Sequence, residues 1–505
     1  MENTHDVQDL RNRKAPIEIA PAEFRRLGYE LVDRIAEFLS SLPQRPVTPG
    51  ESTAAVRQAL GAEKRIPEHG ANPQGLLLEQ AANLVFDHSL FNSHPRFWGY
   101  VTSPAAPIGI LGDLLASAAN PNVGSWALAP MATEIEAQSV RWIAELIGYP
   151  DHCEGLLISG GNMANFVGFL AARANRADWD IRKVGFRHSD AKNLRVYAST
   201  ETHTWIQKAT DLFGLGTDAI SWLPVDQHQV VDPQVLRQRL KDDRALGVTP
   251  LLVVGSAGTV STGAIDPLSE IAAICREHNV WFHVDGAYGA FAAAAVPAEF
   301  EGLQEADSVA VDPHKWLYSP LEAGCILTRH SGALRQTFSY HPPYYAFDKE
   351  VLNYFDLGPQ NSRGFRALKV WLAFKHAGRS GYVQMIGDDI RLAKALYQKL
   401  SDHGDLEPLT QSLSITTFRY FPAELRSGPD SKRVEAYLNR LNEELLNRLE
   451  KSGEAFLSKA MLGSRFALRL CVVNFRTSLE DIEALPGIVV RLGRQLDQEL
   501  RAGSR

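Results

Sequence analysis

The segment Val311-Asp312-Pro313-His314-Lys315-Trp316 follows an apolar run and sets a lysine among aromatic and apolar neighbours. Burial disfavours the charged form of a lysine, and a neutral lysine amine can attack an aldehyde to form a Schiff base. Thirty residues earlier stands Trp281-Phe282-His283-Val284-Asp285-Gly286-Ala287-Tyr288, a strand-like run ending in an aspartate and small residues. A carboxylate placed there can keep the nitrogen of a flat heteroaromatic ring protonated, so that the ring accepts electrons from a developing carbanion. The small residues after it, Ala287 among them, would let such a ring approach the backbone. A third segment, Ile158-Ser159-Gly160-Gly161-Asn162-Met163-Ala164-Asn165, runs from a strand end through two glycines into a helix. Backbone N–H groups and the helix dipole at such a start favour a phosphate, and Asn162 could add a hydrogen bond. His203, in Glu201-Thr202-His203-Thr204-Trp205, offers an imidazole to stack on the ring. The turn from Gly258 and Thr259 to Gly263 offers hydroxyls.

Each feature alone has an ordinary explanation: a lysine stem resting on an aromatic, a capping aspartate, a common Gly-Gly turn, a satisfied histidine. Their order is what decides. Short apolar runs at Leu156–Ser159, Val196–Ser199, Leu251–Gly255, Val280–Asp285, Val309–Asp312 and Cys325–Thr328 read as strands. Helical patterns such as Met163–Arg176 and Leu268–His278 lie between several of them. Alternation of this kind predicts an α/β fold with a mainly parallel sheet, which binds ligands at the carboxyl ends of its strands. Each candidate residue follows a separate strand. Upstream, Phe24, Leu27, Leu31, Ile35 and Phe38 recur at helical spacing, and Pro43, Pro46 and Pro49 end that helix. Downstream of Tyr382, long helical stretches frame strand-like runs at Ile415–Tyr420 and Phe466–Val473, and Thr477 with Glu480 forms a capping-box pattern. The expected division is an N-terminal helical segment (1–105), a large α/β domain (106–381) and a smaller α+β C-terminal domain (382–505).

With these motifs in this order, the chain resembles the group II amino-acid decarboxylases that depend on pyridoxal 5′-phosphate, aromatic-L-amino-acid decarboxylase among them. The resemblance runs from His94-Pro95 to Asn474-Phe475-Arg476-Thr477. It implies the fold type I of pyridoxal-phosphate transferases, a homodimer with the cofactor near the subunit interface, and decarboxylation of an L-amino acid, with a lean to aromatic substrates. By resemblance, Lys315 is the Schiff-base lysine, Asp285 the pyridinium partner, Ala287 the small residue beside the ring and His203 the stacking histidine. Gly161, Asn162 and His314 match positions around the phosphate. Arg469 matches the arginine near the substrate carboxylate, and Tyr344 the tyrosine of the mobile catalytic loop, with Tyr345 adjacent. Tyr100 and Trp126 match a region lining the pocket. Val101 and Gly124 stand where animal aromatic decarboxylases carry bulkier aromatic groups, which implies a roomier site. The chain departs from its relatives at Asn162 (often serine), Asp312 (usually asparagine) and Val260 (threonine in some). The departure at Asp312 puts direct phosphate contact there in doubt.

Rival readings are an aldehyde synthase of the same family, a decarboxylase of acidic or aliphatic amino acids, another fold-type-I lyase or transaminase, and a silent scaffold. The loop tyrosine argues against the aldehyde synthase, and the intact Lys315 and Asp285 against the scaffold. Across 505 residues the net charge is −7, which disfavours a nucleic-acid or anionic-membrane surface as the partner. No apolar run approaches a membrane span, and the polar N-terminus looks unlike a signal peptide, so a cytoplasmic protein is expected. Cys153, Cys275, Cys325 and Cys471 form no CxxC pair, and His88 and His94 have no evident carboxylate partner, so no metal site is expected. No GxGxxG turn marks a dinucleotide site, and no GxSxG turn marks a serine nucleophile.

Overall fold

A computed structural model describes residues 13, 15–341, 351–426 and 432–502. Seven strands build the central sheet: β1 (Glu154–Ile158), β2 (Leu194–Ser199), β3 (Ile220–Leu223), β4 (Thr249–Ser256), β5 (Trp281–Asp285), β6 (Ser308–Val311) and β7 (Gly324–Thr328). Their spatial order is β1-β7-β6-β5-β4-β2-β3. The pairs β2–β3, β2–β4, β4–β5 and β5–β6 are parallel, whereas β7 runs against both its neighbours, β6 and β1. It follows that β1 points the same way as β6. The turns after β1, β2, β4, β5 and β6 therefore open on one edge of the sheet, and those turns carry the candidate residues. Runs such as Leu251–Ser256 are buried throughout because helices cover both faces of a parallel sheet.

The helices that matter below are α1 (Pro21–Ser41), α2 (Pro107–Ala119), α3 (Pro130–Ile147), α4 (Gly161–Arg176), α5 (Trp205–Leu212), α6 (Leu268–Glu277), α7 (Pro313–Trp316), α8 (Ala367–Ser401), α9 (Lys432–Ser452) and α10 (Leu479–Ala502). Within α8 the backbone breaks at Gly378, whose φ of 66° suits glycine. A second, antiparallel sheet has the order β10-β11-β9-β8, from β8 (Leu406–Ser412), β9 (Ile415–Tyr420), β10 (Ser458–Leu462) and β11 (Arg465–Cys471). Its core joins Phe418 and Leu468 to Leu396, Leu441, Leu445 and Leu485 from α8, α9 and α10.

Three strands were not expected from the sequence. β3 has only four residues and lies at the sheet edge with Trp222 partly exposed. β8 contains Pro408 and slips register beside it. β10 is an edge strand with half-exposed Met461. The cap of α10 is displaced by one residue: Ser478 and Asp481 exchange backbone and side-chain hydrogen bonds. Thr477 is engaged elsewhere, donating to the Pro95 carbonyl at 2.6 Å and accepting from Trp98 Nε1 at 3.1 Å. His88 does have a carboxylate partner, since Nδ1 lies 2.8 Å from Glu51 Oε2; long-range folding brings together residues that sequence spacing kept apart. His94 is satisfied by the backbone of Arg45 and Arg96.

A buried ion pair fixes the start of the site. Arg363 NH1 lies 3.2 Å from Glu136 Oε2 and donates to the Val123 carbonyl at 2.9 Å. Glu136 Oε1 also accepts from Leu157 N at 2.9 Å, tying α3 to β1. Both side chains are almost wholly buried, a setting in which loss of one partner strands the other charge.

Candidate active site

The lysine turn begins where β6 ends. Pro313 occupies the first helical position of α7, where its missing N–H costs nothing. Lys315 Nζ lies 3.1 Å from Asp312 Oδ2, with 22% of the Lys315 side chain exposed and 3% of Asp312. The aromatic neighbour that sequence placed beside the lysine serves the turn instead. Trp316 is fully buried, donates from Nε1 to Asp389 Oδ2 at 2.9 Å, and stacks on Tyr288 at 5.1 Å. The Tyr318 hydroxyl donates to the same Asp389 oxygen at 2.8 Å. Burial pushes Asp389 up to about 7, and the two donors only partly offset it. Tyr288 in turn shares a 2.7 Å hydrogen bond with Ser414, between β8 and β9. His314 holds the other side: its Nδ1 lies 2.7 Å from the Ala323 carbonyl, and its own carbonyl accepts from Ser103 Oγ at 2.9 Å.

Asp285 closes β5. Its Oδ2 accepts from Trp205 Nε1 at 2.8 Å and its Oδ1 from Ala287 N at 3.2 Å. Trp205 N also points at His203 Nδ1, 3.3 Å away, so one tryptophan orders both residues. Burial favours the neutral ring of His203, against the pull of the nearby Asp285 carboxylate. Gly161 joins three strand ends. A Cβ there would lie 2.5 Å from Asp312 Oδ2 and 2.8 Å from the Ala287 Cβ, so only glycine fits. Gly160 before it has φ of 95° and packs against the His314 ring. Asn162 is the second residue of α4, among the first-turn N–H groups that have no intrahelical acceptor. Thr259 is buried, sharing a 3.0 Å hydrogen bond with Thr262; two residues earlier Ala257 N donates to the Asp285 carbonyl.

Arg469 on β11 is 2% exposed. Its NH1 donates to the Tyr100 carbonyl at 2.9 Å and to Ser458 Oγ at 3.1 Å. Nε and NH2 are buried with no hydrogen-bond partner among the described residues. Tyr100, at φ of 53°, is locked by a bond from its N to Ser458 Oγ, while the residue is 59% exposed. The stretch from Tyr100 to Ser103 thus links Arg469 to the lysine turn. Trp126 sits elsewhere: its Nε1 donates to Glu134 at 3.0 Å, and no described contact joins it to Lys315 or Arg469. Gly124 leaves no extra room, because a Cβ there would lie 2.3 Å from the Asn361 carbonyl oxygen. Val101 packs against the large core. The roomier site expected from these two positions is therefore not found at Gly124. Tyr344 and Tyr345 lie outside the described residues. Sequence reasoning missed Trp205, Ser458 and Asp389; only Trp205, two residues from His203, stood inside a motif.

Residues 58–420 match the model of the pyridoxal-dependent decarboxylase conserved domain. The chain belongs to that family. It is 35% identical over 474 residues to an aromatic-L-amino-acid decarboxylase of Bacillus atrophaeus, covering 92% of this chain and 94% of the relative. A phenylacetaldehyde synthase of a Rosa hybrid cultivar is 26% identical over 92% of this chain and 93% of its own. Among solved structures, mouse CSAD superposes with a TM-score of 0.88 at 26% identity, covering 94% of this chain and 99% of that one. Oryza sativa TDC with PLP and tryptamine shows the same fold, with a TM-score of 0.88 at 24% identity and coverage of 96% and 100%. This family member is a pyridoxal 5′-phosphate-dependent lyase that decarboxylates an amino acid. Among the described residues, no helix is long and apolar enough to cross a membrane.

Proposed function

We propose that the chain decarboxylates an aromatic L-amino acid to its amine, with the cofactor anchored covalently on Lys315. The observation that carries the reading is the convergence on Gly161, where the ends of β1, β5 and β6 meet within contact distance. The residues fit the group. The first turn of α4, with Asn162 and with His314 packed on Gly160, offers amide donors to a phosphate. Asp285 at a strand end suits a ring nitrogen, with Ala287 and His203 at the ring faces and Thr259 supplying a hydroxyl nearby. When bound, pyridoxal 5′-phosphate supplies the electron sink for the pair left as the carboxylate departs.

The chain's own residues do the rest. Asp285 holds a proton on the ring nitrogen by charge. The buried, unpartnered edge of the Arg469 guanidinium, Nε and NH2, is a planar pair of donors whose geometry matches a substrate carboxylate. Ser458 and the Tyr100 carbonyl hold that fork in place. The aromatic preference is supported by the Bacillus atrophaeus relative, whose name gives that substrate class. An amine-release screen of the purified holoenzyme across the amino acids tests it. Highest turnover on phenylalanine, tyrosine, tryptophan or their hydroxylated forms is expected; turnover confined to glutamate or aspartate would overturn it. Arg469→Lys keeps the charge and loses the fork. It is expected to raise KM roughly 10- to 100-fold, the worth of a charge-assisted bidentate contact, with a smaller change in kcat. An unchanged KM would remove Arg469 from the site.

Tyr344 is assigned by resemblance as the donor of the proton that replaces the carboxylate at Cα. Tyr344→Phe removes only a hydroxyl. The variant is expected to consume substrate yet yield less amine, with dioxygen and water consumed and aldehyde, ammonia, carbon dioxide and hydrogen peroxide formed. Unchanged amine yield would shift the role to Tyr345. The reading extends to a homodimer, supported by Leu111, Leu114 and Leu115, each more than half exposed on α2, and by exposed Phe24 and Tyr29 on α1. It extends also to a cytoplasmic setting, supported by four cysteines that are all free, and to the three-part division at residues 105 and 381.

A further inference from the structure

The turn that carries Lys315 is gripped from one side by α8. Trp316 Nε1 donates to Asp389 Oδ2 at 2.9 Å, and the Tyr318 hydroxyl donates to the same oxygen at 2.8 Å. The Tyr382 hydroxyl donates to the Leu317 carbonyl at 3.2 Å. Tyr382 and Asp389 stand about two turns apart on α8, so one helix face holds three consecutive residues that begin next to the lysine. That grip has backbone strain to hold. Tyr318 is buried and has φ of 54°, a left-handed conformation that residues with a Cβ rarely adopt. Its amide donates to the Lys315 carbonyl at 3.2 Å, which closes the turn on the lysine. A second hold runs sideways. The Trp316 ring stacks on Tyr288, with centroids 5.1 Å apart and planes 9° from parallel. Tyr288 belongs to the turn that starts at Asp285. Through one indole, Asp389 therefore braces both the lysine turn and the aspartate turn. A buried carboxylate is a costly choice for filling space, whereas one oxygen that accepts from two side chains fixes both at once.

We propose that Asp389 is a positioning residue: it holds Trp316 and Tyr318 so that the Lys315 amine stays where an aldehyde meets it, in fixed register with Asp285. The proposal rests on Lys315 as the anchor. Attack on an aldehyde needs the nitrogen lone pair in line with the carbonyl carbon, and misplacement by about 1 Å costs about 100-fold in rate. With Trp316 and Tyr318 released, Tyr318 relaxes from its left-handed conformation, and the turn before it, Lys315 included, shifts. Asparagine at 389 keeps an oxygen for both donors and loses only the bond accepted from the Asn474 backbone. Alanine keeps none of them.

The test compares Asp389→Ala, Asp389→Asn and Leu445→Ala in the full-length chain, well below the Tm of each. Leu445 sits in the core of the second sheet, so its truncation lowers Tm without touching the lysine turn. One readout is the rate at which the chain, stripped of cofactor with hydroxylamine and dialysed, regains bound-cofactor absorbance with pyridoxal 5′-phosphate. The other is kcat and KM per bound cofactor. Asp389→Ala is expected to take up cofactor about tenfold more slowly and to lose about 10- to 100-fold in kcat, with KM changing less than about threefold. Asp389→Asn and Leu445→Ala are expected to stay within about threefold of wild type in both readouts. An alanine variant that falls in Tm as Leu445→Ala does, yet keeps wild-type uptake and kcat, would leave Asp389 as packing and overturn the proposal. A deficit confined to KM would overturn it too. So would an asparagine variant as slow as the alanine one, which would point to charge rather than to the shared oxygen. Tyr318→Phe, which removes one of the two donors and keeps the ring, carries the same expectation at smaller size if Asp389→Ala does not fold. Borohydride trapping of the wild type, followed by peptide mapping, reads the anchor separately. Label on another lysine would overturn the Lys315 assignment and this inference with it; unchanged uptake with the label on Lys315 would overturn this inference alone.

Discussion

Lys315→Ala is expected to lower kcat by at least about three orders of magnitude, the scale of losing a covalent or proton-transferring group at the reacting centre. At 1.36 kcal/mol per factor of ten, that is about 4 kcal/mol of barrier. The fold should survive, because the turn is held by groups other than the lysine. Trp316 and Tyr318 reach Asp389, His314 reaches Ala323, and Ser103 reaches the His314 carbonyl. The amine itself touches Asp312. Removing it leaves that buried carboxylate without its nearest cation, at a cost of about 1–3 kcal/mol. A modest fall in Tm should accompany the loss of turnover. Wild-type protein reduced with borohydride should carry the phosphopyridoxyl label on the peptide containing Lys315. Retained turnover in Lys315→Ala would end the assignment.

The motifs were legible because each sits directly after an apolar run, and in a parallel sheet that position fixes where the side chain must emerge. Lys315, Asp285, His203 and Gly161 needed only the strand order to be brought to one edge. What stayed hidden depends on packing between distant segments. Asp389 is one polar residue on a long helix until Trp316 and Tyr318, more than seventy residues away, turn their donors toward it. Ser458 lies on a short edge strand whose alternation is weak, and its value comes from meeting both Tyr100 and Arg469. Gly124 was misread as space because a missing side chain says nothing of what fills the volume; here it is the backbone of Asn361. Asp312 was visible by resemblance as a departure that put phosphate contact in doubt, but only the structure pairs it with the lysine.

Asp285→Asn is expected to lower kcat about 10²- to 10³-fold, the range seen when one fixed electrostatic stabiliser is removed from a reacting centre. The substitution isolates charge from shape. Asparagine presents a carbonyl oxygen to Trp205 Nε1 in place of Oδ2, so the 2.8 Å contact that orders α5 and His203 can persist. Its amide group, turned toward Ala287 N, meets a donor where Asp285 offered an acceptor, a local loss of about one hydrogen bond. Folding stability should therefore change by only about 1 kcal/mol. On the proposed reading, a ring nitrogen held beside residue 285 would lose the negative charge that keeps it protonated, and the electron sink would weaken only as charge develops. An effect confined to the reacting step lowers kcat and kcat/KM together and leaves substrate affinity nearly unchanged. Measurements at saturating cofactor separate this from weak cofactor binding. A variant with near-normal kcat under those conditions, or one whose whole deficit lies in KM, would show that Asp285 only braces Trp205. A large kcat deficit with Tm held within a few degrees would assign it to the chemistry, because the bracing contact survives in the asparagine variant and the charge does not.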